Sequence, residues 1–169
     1  PVVKHIDSKQ ALERDHIWFF DGEKENEGSG TYEDPFRSSE YQQETVDNIH
    51  TVNPDYAHLY FNKGIYDEGG EINLYRNQSM WGRTPDYRLS VRDGARPVIQ
   101  GSLILPGENY INGLIFRNIP EEEELIRSVG GGDFGIGIQI RGDDVLLDHV
   151  EVGQLNNTLG YQTGVKVED

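Results

Sequence analysis

The chain has 169 residues, enough for one domain and scarcely for two, and its 15 Lys and Arg against 30 Asp and Glu give a formal net charge of −15. That balance argues against binding to a phosphate backbone and against a polybasic membrane anchor. No apolar run approaches the roughly 20 residues needed to span a bilayer, no secretory h-region lies in the first residues, and the lack of Cys excludes disulfides, thiolate zinc sites and cysteine catalysis.

Twenty Gly and an apolar content of 35% would suit a disordered chain, but nine Tyr, six Phe and two Trp suit a folded domain with many turns and a thin core. Residues 1–15 are polar and read as a linker. His16-Ile-Trp-Phe-Phe20, bounded by Asp15 and Asp21-Gly22, reads as a short buried strand. Glu23 to Glu33 is acidic and Gly-rich, and reads as a loop. Ser39 with Gln42 forms a capping-box pattern, and Tyr41, Thr45, Val46 and Ile49 follow near helical spacing. These residues predict a helix over about 40–50, ending before Asn53-Pro54, with an apolar face narrow enough for a lid. Residues 16–57 together read as an N-terminal cap.

From residue 58 onward the pattern changes to short strands. His58–Phe61, Ile65–Tyr66, Ile72–Tyr75, Met80–Gly82, Pro97–Ile99, Leu103–Leu105 and the positions of Ile111, Leu114 and Phe116 are separated by Gly-, Asn- and Pro-containing turns. An internal repeat runs through the second half. Ser102–Asn109 aligns with Gly137–Asp144, matching Leu103 to Ile138, Leu105 to Ile140, Gly107 to Gly142 and Glu108 to Asp143. After one residue of slack, Ile111-Asn-Gly-Leu114-Ile-Phe116 aligns with Leu147-Asp-His-Val150-Glu-Val152, and a third copy begins at Gly164-Val-Lys-Val167. The first two copies are separated by a polar insertion, Pro120 to Asp133.

Aligned strands and turns with irregular loops between them fit the coils of a parallel β-helix, in which alternate residues point into a narrow core and insertions loop outward. An antiparallel sandwich is the competing expectation, and the repetition of both strand and turn favours the solenoid. The predicted fold is therefore all-β: a parallel β-helix over 58–169, carrying an N-terminal cap with one short α-helix. The last copy breaks off in mid-coil, so the coils are expected to be truncated at the C-terminal end.

Trp18-Phe-Phe20, Gly28-Ser-Gly-Thr31 and Asp34-Pro-Phe36 resemble the entry to bacterial right-handed β-helix domains of the pectin-lyase-like class. Asn77-Gln-Ser-Met-Trp-Gly-Arg-Thr-Pro-Asp-Tyr87, followed by Ala95-Arg-Pro97, Gly101–Leu105 and Asn112-Gly-Leu114, is similar to β-helix passenger regions of inverse-autotransporter (intimin/invasin-type) surface proteins. Pro1-Val-Val-Lys-His-Ile6 looks like the exit from the last strand of such a barrel. The resemblance covers about residues 16–152. It implies right-handed coils and a place at the cell surface of a Gram-negative bacterium, outside the outer membrane, within a longer exported protein. It brings no catalytic motif, and solenoids host many functions.

Among residues with chemistry to offer, Asp143, Asp144, Asp148 and Glu151 lie in the best-defined repeat, and parallel coils would stack Glu108 about 4.8 Å from Asp143. Glu108, Asp143 and Asp144 are the calcium candidates, since calcium takes six to eight oxygen ligands. Paired carboxylates also suit a glycosidase, and turn acids commonly do no more than solubilise tight turns. Pectate-lyase-like enzymes combine calcium acids with an Arg or Lys base, so an enzyme would use Asp143, Asp144, Asp148 and Arg141, with Arg117 a further candidate by type. His149 stands beside Asp148, but no HxH or HExxH spacing accompanies it, and a structural His is the simpler reading. Gly130-Gly-Gly-Asp-Phe-Gly135 is a single imperfect match to a calcium repeat that requires tandem copies, and reads as a flexible loop.

Glu121–Glu124 opens the insertion, and Glu121–Ser128 reads as a short outer helix. Outward loops are the natural contact points of a solenoid, and Tyr or Trp rings stack on sugars. Tyr32, Trp81, Tyr87, Glu121, Glu122 and Tyr161 are accordingly the binding candidates. The expected function is a non-enzymatic surface module that displays loops for adhesion or ligand binding, with a glycan or a host surface protein as partner. No nucleic acid, no resident cofactor and no membrane insertion by this segment are expected. The alternatives are a polysaccharide lyase or hydrolase, and a structural stalk.

Overall fold

The computed structural model describes residues 16–66, 70–82, 96–117, 136–153 and 163–168. In chain order the elements are Ile17–Asp21 (β1), Phe36–Arg37 (β2), a 3-10 turn at Ser38–Glu40, Gln43–Val52 (α1), Ala57–Phe61 (β3), Ile65–Tyr66 (β4), Glu71–Asn73 (β5) and Gln78–Gly82 (β6). There follow Val98–Gln100 (β7), Ser102–Leu105 (β8), Tyr110–Asn112 (β9), Ile115–Arg117 (β10), Ile136–Ile140 (β11), Leu146–Asp148 (β12), Glu151–Gly153 (β13) and Thr163–Val167 (β14). Among the described residues the protein is all-β apart from one α-helix and a 3-10 turn, and every strand pair is parallel. The antiparallel sandwich is thereby excluded.

The strands form three sheets that the chain visits in fixed rotation from β3 onward. The first sheet orders β12-β9-β6-β3-β1-β2, the second β13-β10-β7-β4 and the third β14-β11-β8-β5. Parallel neighbours cannot be joined by hairpins. From β3 onward the return to each sheet therefore runs through the other two. The shortest such circuit, from Val98 to its partner Ile115, takes 17 residues. Ile65 to Val98 takes 33 and Ile115 to Glu151 takes 36. The excess falls in 83–95 and 118–135, outside the described residues, as do the linker 1–15, the Glu121–Ser128 helix and the Gly130–Gly135 loop of the sequence reading.

Strand alternation turns every second side chain inward. Leu59, Met80 and Ile111 stack in one inner file, Tyr66, Ile99 and Phe116 in a second, and Ile72, Leu103 and Ile138 in a third, all within one buried cluster. The repeat read from the sequence is the register of these files: Leu103 pairs with Ile138, Leu105 with Ile140, Ile111 with Leu147, Phe116 with Val152, and Ile138 with Val165. The corners repeat as well. Asn77, Glu108 and Asp144 each stand three residues before a paired first-sheet residue (Met80, Ile111, Leu147), and all three have left-handed backbones, with φ of 62°, 54° and 59°. Asn and Asp tolerate this conformation better than other non-Gly residues.

One expectation about the cap changes. The helix spans 43–52 instead of 40–50. Its N-cap is Gln42, with no side-chain cap bond, and the Gln42 amide instead donates to the Ser39 carbonyl, 2.7 Å away. Glu40 is held back in the preceding turn, where its carboxylate accepts from the backbone N–H groups of Gly28 and Arg37, each at 2.9 Å. The helix then runs past His50 until Asn53, which leaves helical geometry ahead of Pro54. The aromatic run after His16 is the strand expected from the sequence, and it pairs with β3 in the first sheet.

Helix α1 covers the start of the core. Val46 and Ile49 are buried with Tyr41 in the main cluster. Gln43 also closes the edge of the third sheet, since its side-chain amide accepts from Asn73 N–H at 2.7 Å and donates to Asn73 C=O at 3.1 Å, replacing a neighbouring strand. Gln43→Ala is expected to cost about 1 kcal/mol, from two hydrogen bonds lost at a partly hydrated edge. Thermal unfolding checks this, with a drop of about 2–4 °C. At the opposite end the files run out: Leu147, Val150 and Val152 are only half-buried, and Val167 is 67% exposed.

Candidate functional site

The outward face of the first sheet carries most of the chemistry outside the core. Because Leu59, Phe61 and Met80 point inward, His58, Tyr60 and Trp81 point outward. Phe19, Tyr60 and Trp81 occupy paired positions across β1, β3 and β6, each ring meeting the next edge-on at 5.8 and 6.2 Å. Tyr110 of β9 continues the row, 4.5 Å from the Trp81 ring. Tyr32 meets Phe19 at the other end and is 56% exposed. Trp81 is only 7% exposed, and its indole N–H donates to His58 Nδ1 at 3.2 Å. A buried indole needs such a partner. Of the predicted ring contacts, Tyr32 is thus open and Trp81 is packed, while Tyr87 and Tyr161 lie outside the described residues, as do Glu121 and Glu122.

The row ends in a polar group on the last two circuits. Asn112 pairs with Asp148 across β9 and β12. The Asp148 carboxylate accepts from the Tyr110 hydroxyl and from the Asn112 amide through Oδ2, both at 2.9 Å. Its Oδ1 lies 2.6 Å from His149 Nδ1. Burial pushes the Asp148 carboxyl up, but these hydrogen bonds outweigh it and hold the group below the usual Asp value. The contact fixes the imidazole orientation and directs Nε2 away from the carboxylate. The His149 side chain is 59% exposed.

His149 also occupies an unusual backbone position. It follows Asp148 as Gly113 follows Asn112 in the circuit before, and both residues have a positive φ, 71° for Gly113 and 52° for His149. Glycine adopts this conformation freely, and a side chain there is strained. The corner is gripped from the side: one Arg96 nitrogen donates to the His149 carbonyl and the other to Glu151, both at 2.9 Å. Arg117 lies 3.7 Å from the same Glu151 carboxylate.

The other predicted acids are elsewhere. Asp143 and Asp144 occupy the exposed corner before β12, and Asp148 lies at the end of that strand. The Glu108 backbone N–H does reach the Asp143 carbonyl at 2.8 Å, as stacked corners require. The Glu108 carboxylate, however, accepts from Arg76 at 2.9 Å. Glu108 first, then Asp143 and Asp144, raise the Arg76 pKa, so a guanidinium already supplies the positive charge at the proposed calcium acids. Among the described residues, no three His, Asp or Glu side chains are arranged to hold a metal ion. Arg141 donates to Gln139 at 3.0 Å and lies 3.4 Å from Glu168, away from Asp148. The structure thus joins Asp148 to Tyr110, Asn112 and His149. Tyr110 and Asn112 were missed as site residues, although the repeat alignment already set Asn112 over Asp148 and Gly113 over His149.

No protein-family model, curated protein or solved structure matches the chain.

Proposed function

We propose that the chain is a right-handed parallel β-helix module of a Gram-negative surface protein, of the inverse-autotransporter passenger type, and that it binds partners without turning them over. The three-sheet rotation supports the solenoid, and the Asn77–Tyr87 and Asn112–Leu114 segments support the passenger resemblance. The observation that carries the binding role is where extra chain enters the circuits. Residues 118–135 connect β10 to β11 and residues 154–162 connect β13 to β14, so both join the second sheet to the third, at one corner of successive circuits. Glu121, Glu122 and Tyr161 fall in these two connections. Residues 83–95, with Tyr87, join the first sheet to the second and end beside Arg96. A solenoid tolerates additions at its corners because they leave the stacked strands undisturbed.

The dispersal of the acids favours binding over catalysis. Retaining and inverting glycosidases both need two carboxyls facing one bond. Here Asp143 and Asp144 flank Arg76, whereas Asp148 is held by Tyr110, Asn112 and His149. The test is to present the purified module to host cells and to immobilised glycans, with mass spectrometry of any soluble polysaccharide. The expected result is saturable retention with polysaccharide chains intact. Shortened chains would make the protein an enzyme, and no retention on any surface would leave a stalk.

A further inference from the structure

We infer that His58 is an acid-sensitive latch on the outer aromatic row: when neutral it holds Trp81 in place, and when protonated it releases the indole. The ground is the direction of one hydrogen bond. Trp81 Nε1–H donates to His58 Nδ1 at 3.2 Å. An indole nitrogen only donates, so Nδ1 must offer a lone pair and the imidazole proton must sit on Nε2. An imidazolium carries a proton on both nitrogens and accepts from neither side. Acid therefore turns a donor–acceptor contact into one between two donors. The other tryptophan supplies the contrast. Trp18 Nε1–H donates at 2.7 Å to the side-chain oxygen of Asn53, an acceptor that does not titrate.

The surroundings sharpen the effect. His58 and Trp81 are both buried, where a new charge is costly. The residues paired with His58 on β1 and β6 are Ile17 and Ser79, and neither ionises. The indole turns its N–H edge to the imidazole, at 6.0 Å and 62° between the rings, and that edge is the positive end of the ring quadrupole. Around His58, the titratable groups among the described residues begin with Tyr56, 5.8 Å away, and His16, which stacks on Tyr56 at 4.2 Å. Asp55 is exposed in the turn before β3. Along the row stand Tyr60 and Tyr110, at 6.2 and 4.5 Å from Trp81, and the Tyr110 hydroxyl leads on to Asp148 and His149. Trp81 lies between the two tyrosines, so freeing it loosens the row from β3 to β9. Burial and the indole bond both favour the neutral imidazole, which holds His58 below the roughly 6.5 of an unfolded histidine. Its contribution to stability is whole above that value and is lost as pH falls through the folded one.

The test is NMR spectroscopy of the whole chain between about pH 7.5 and about pH 5, the range in which histidines titrate. Asp148 stays ionised throughout, because its hydrogen bonds hold it below the usual Asp value. At the upper end, the His58 ring nitrogens are expected to show the proton on Nε2. Toward the lower end, His58 is expected to take up a second proton. Solvent exchange of the Trp81 indole N–H is then expected to rise about tenfold or more relative to that of Trp18. His58→Gln supplies an amide oxygen that accepts at any pH, and is expected to make the Trp81 signal as insensitive to acid as that of Trp18. The drop in unfolding temperature over the same range is expected to be smaller in this variant than in wild type. A proton on Nδ1 at the upper end, or a His58 still neutral at the lower end, would overturn the inference. So would an equal acid response of Trp81 in wild type and His58→Gln, which would assign it to His16 or His149. If the variant does not fold, the wild-type tautomer and the contrast between the two indole signals decide alone.

Discussion

Phe61→Ala is expected to lower the unfolding free energy by about 3–5 kcal/mol, a large share of the roughly 5–15 kcal/mol that holds a domain folded. Phe61 is wholly buried where the first sheet, the turn before the helix and the second sheet meet. It stacks on Phe20 at 4.7 Å and meets the rings of Tyr41 and Tyr66 edge-on at 5.2 and 5.1 Å. These aromatic pairs add to plain area burial. They are locked from behind, since the Tyr66 hydroxyl donates to the Asn62 carbonyl at 2.9 Å. Removing the ring leaves a cavity between rigid neighbours that cannot close in around it. A truncation at the other end of the Leu59–Met80–Ile111 file, Leu147→Ala, is expected to cost only about 1–2 kcal/mol, because Leu147 faces inward but is just part-buried. Urea unfolding of both variants measures the contrast. Equal losses would mean that stability does not decline along the stack, contrary to the burial pattern.

That gradient explains which half of the fold the sequence reveals. In the second half, each circuit repeats aliphatic residues at fixed corners, so the alignment of Leu103 with Ile138 and of Ile111 with Leu147 is also the hydrogen-bonded register. In the first half the same inner file holds Leu59 and Met80 only 21 positions apart, and the neighbouring inner positions are filled by Phe20, Phe61 and Tyr66. Large rings fill the core in one circuit as several aliphatic residues do in another, so composition diverges while geometry is kept. The helix boundary was misread for a related reason. Ser39 and Gln42 have the spacing of a capping box, but Glu40 is engaged by Gly28 and Arg37, and that tertiary demand overrides the local signal. At the candidate site, Asp148 was legible as a carboxylate in the repeat. Its partners Tyr110 and Asn112 lie 38 and 36 residues away and became a cluster only through the register. The left-handed backbone of His149 was not legible either, because its residue type does not set φ.

Gly142→Ala is expected to cost about 3 kcal/mol, at the upper end of what overpacking usually costs. Gly142 was aligned with Gly107 from the repeat, and the two corners stack directly. A methyl at Gly142 would run into the Pro106 carbonyl of the preceding circuit, far inside van der Waals contact, and would press on the Gly107 Cα at 3.0 Å. The obstruction is backbone on both sides, so it cannot swing away as a side-chain tip would. That backbone is also engaged next door, where Glu108 N–H donates to the Asp143 carbonyl at 2.8 Å and Arg141 N–H to the Leu105 carbonyl at 2.8 Å. Relief would therefore require parting the circuits and losing inter-circuit hydrogen bonds. Gly153→Ala is the matched control on the last circuit. Among the described residues nothing lies within 4 Å of a methyl there, and no positive φ requires glycine. It is expected to leave stability unchanged or to raise it by about 0.4–1 kcal/mol, through a less flexible unfolded chain. Paired denaturation curves decide the matter. If Gly142→Ala were as harmless as Gly153→Ala, the close corner-to-corner stacking that sets the spacing of the circuits would be wrong at this corner.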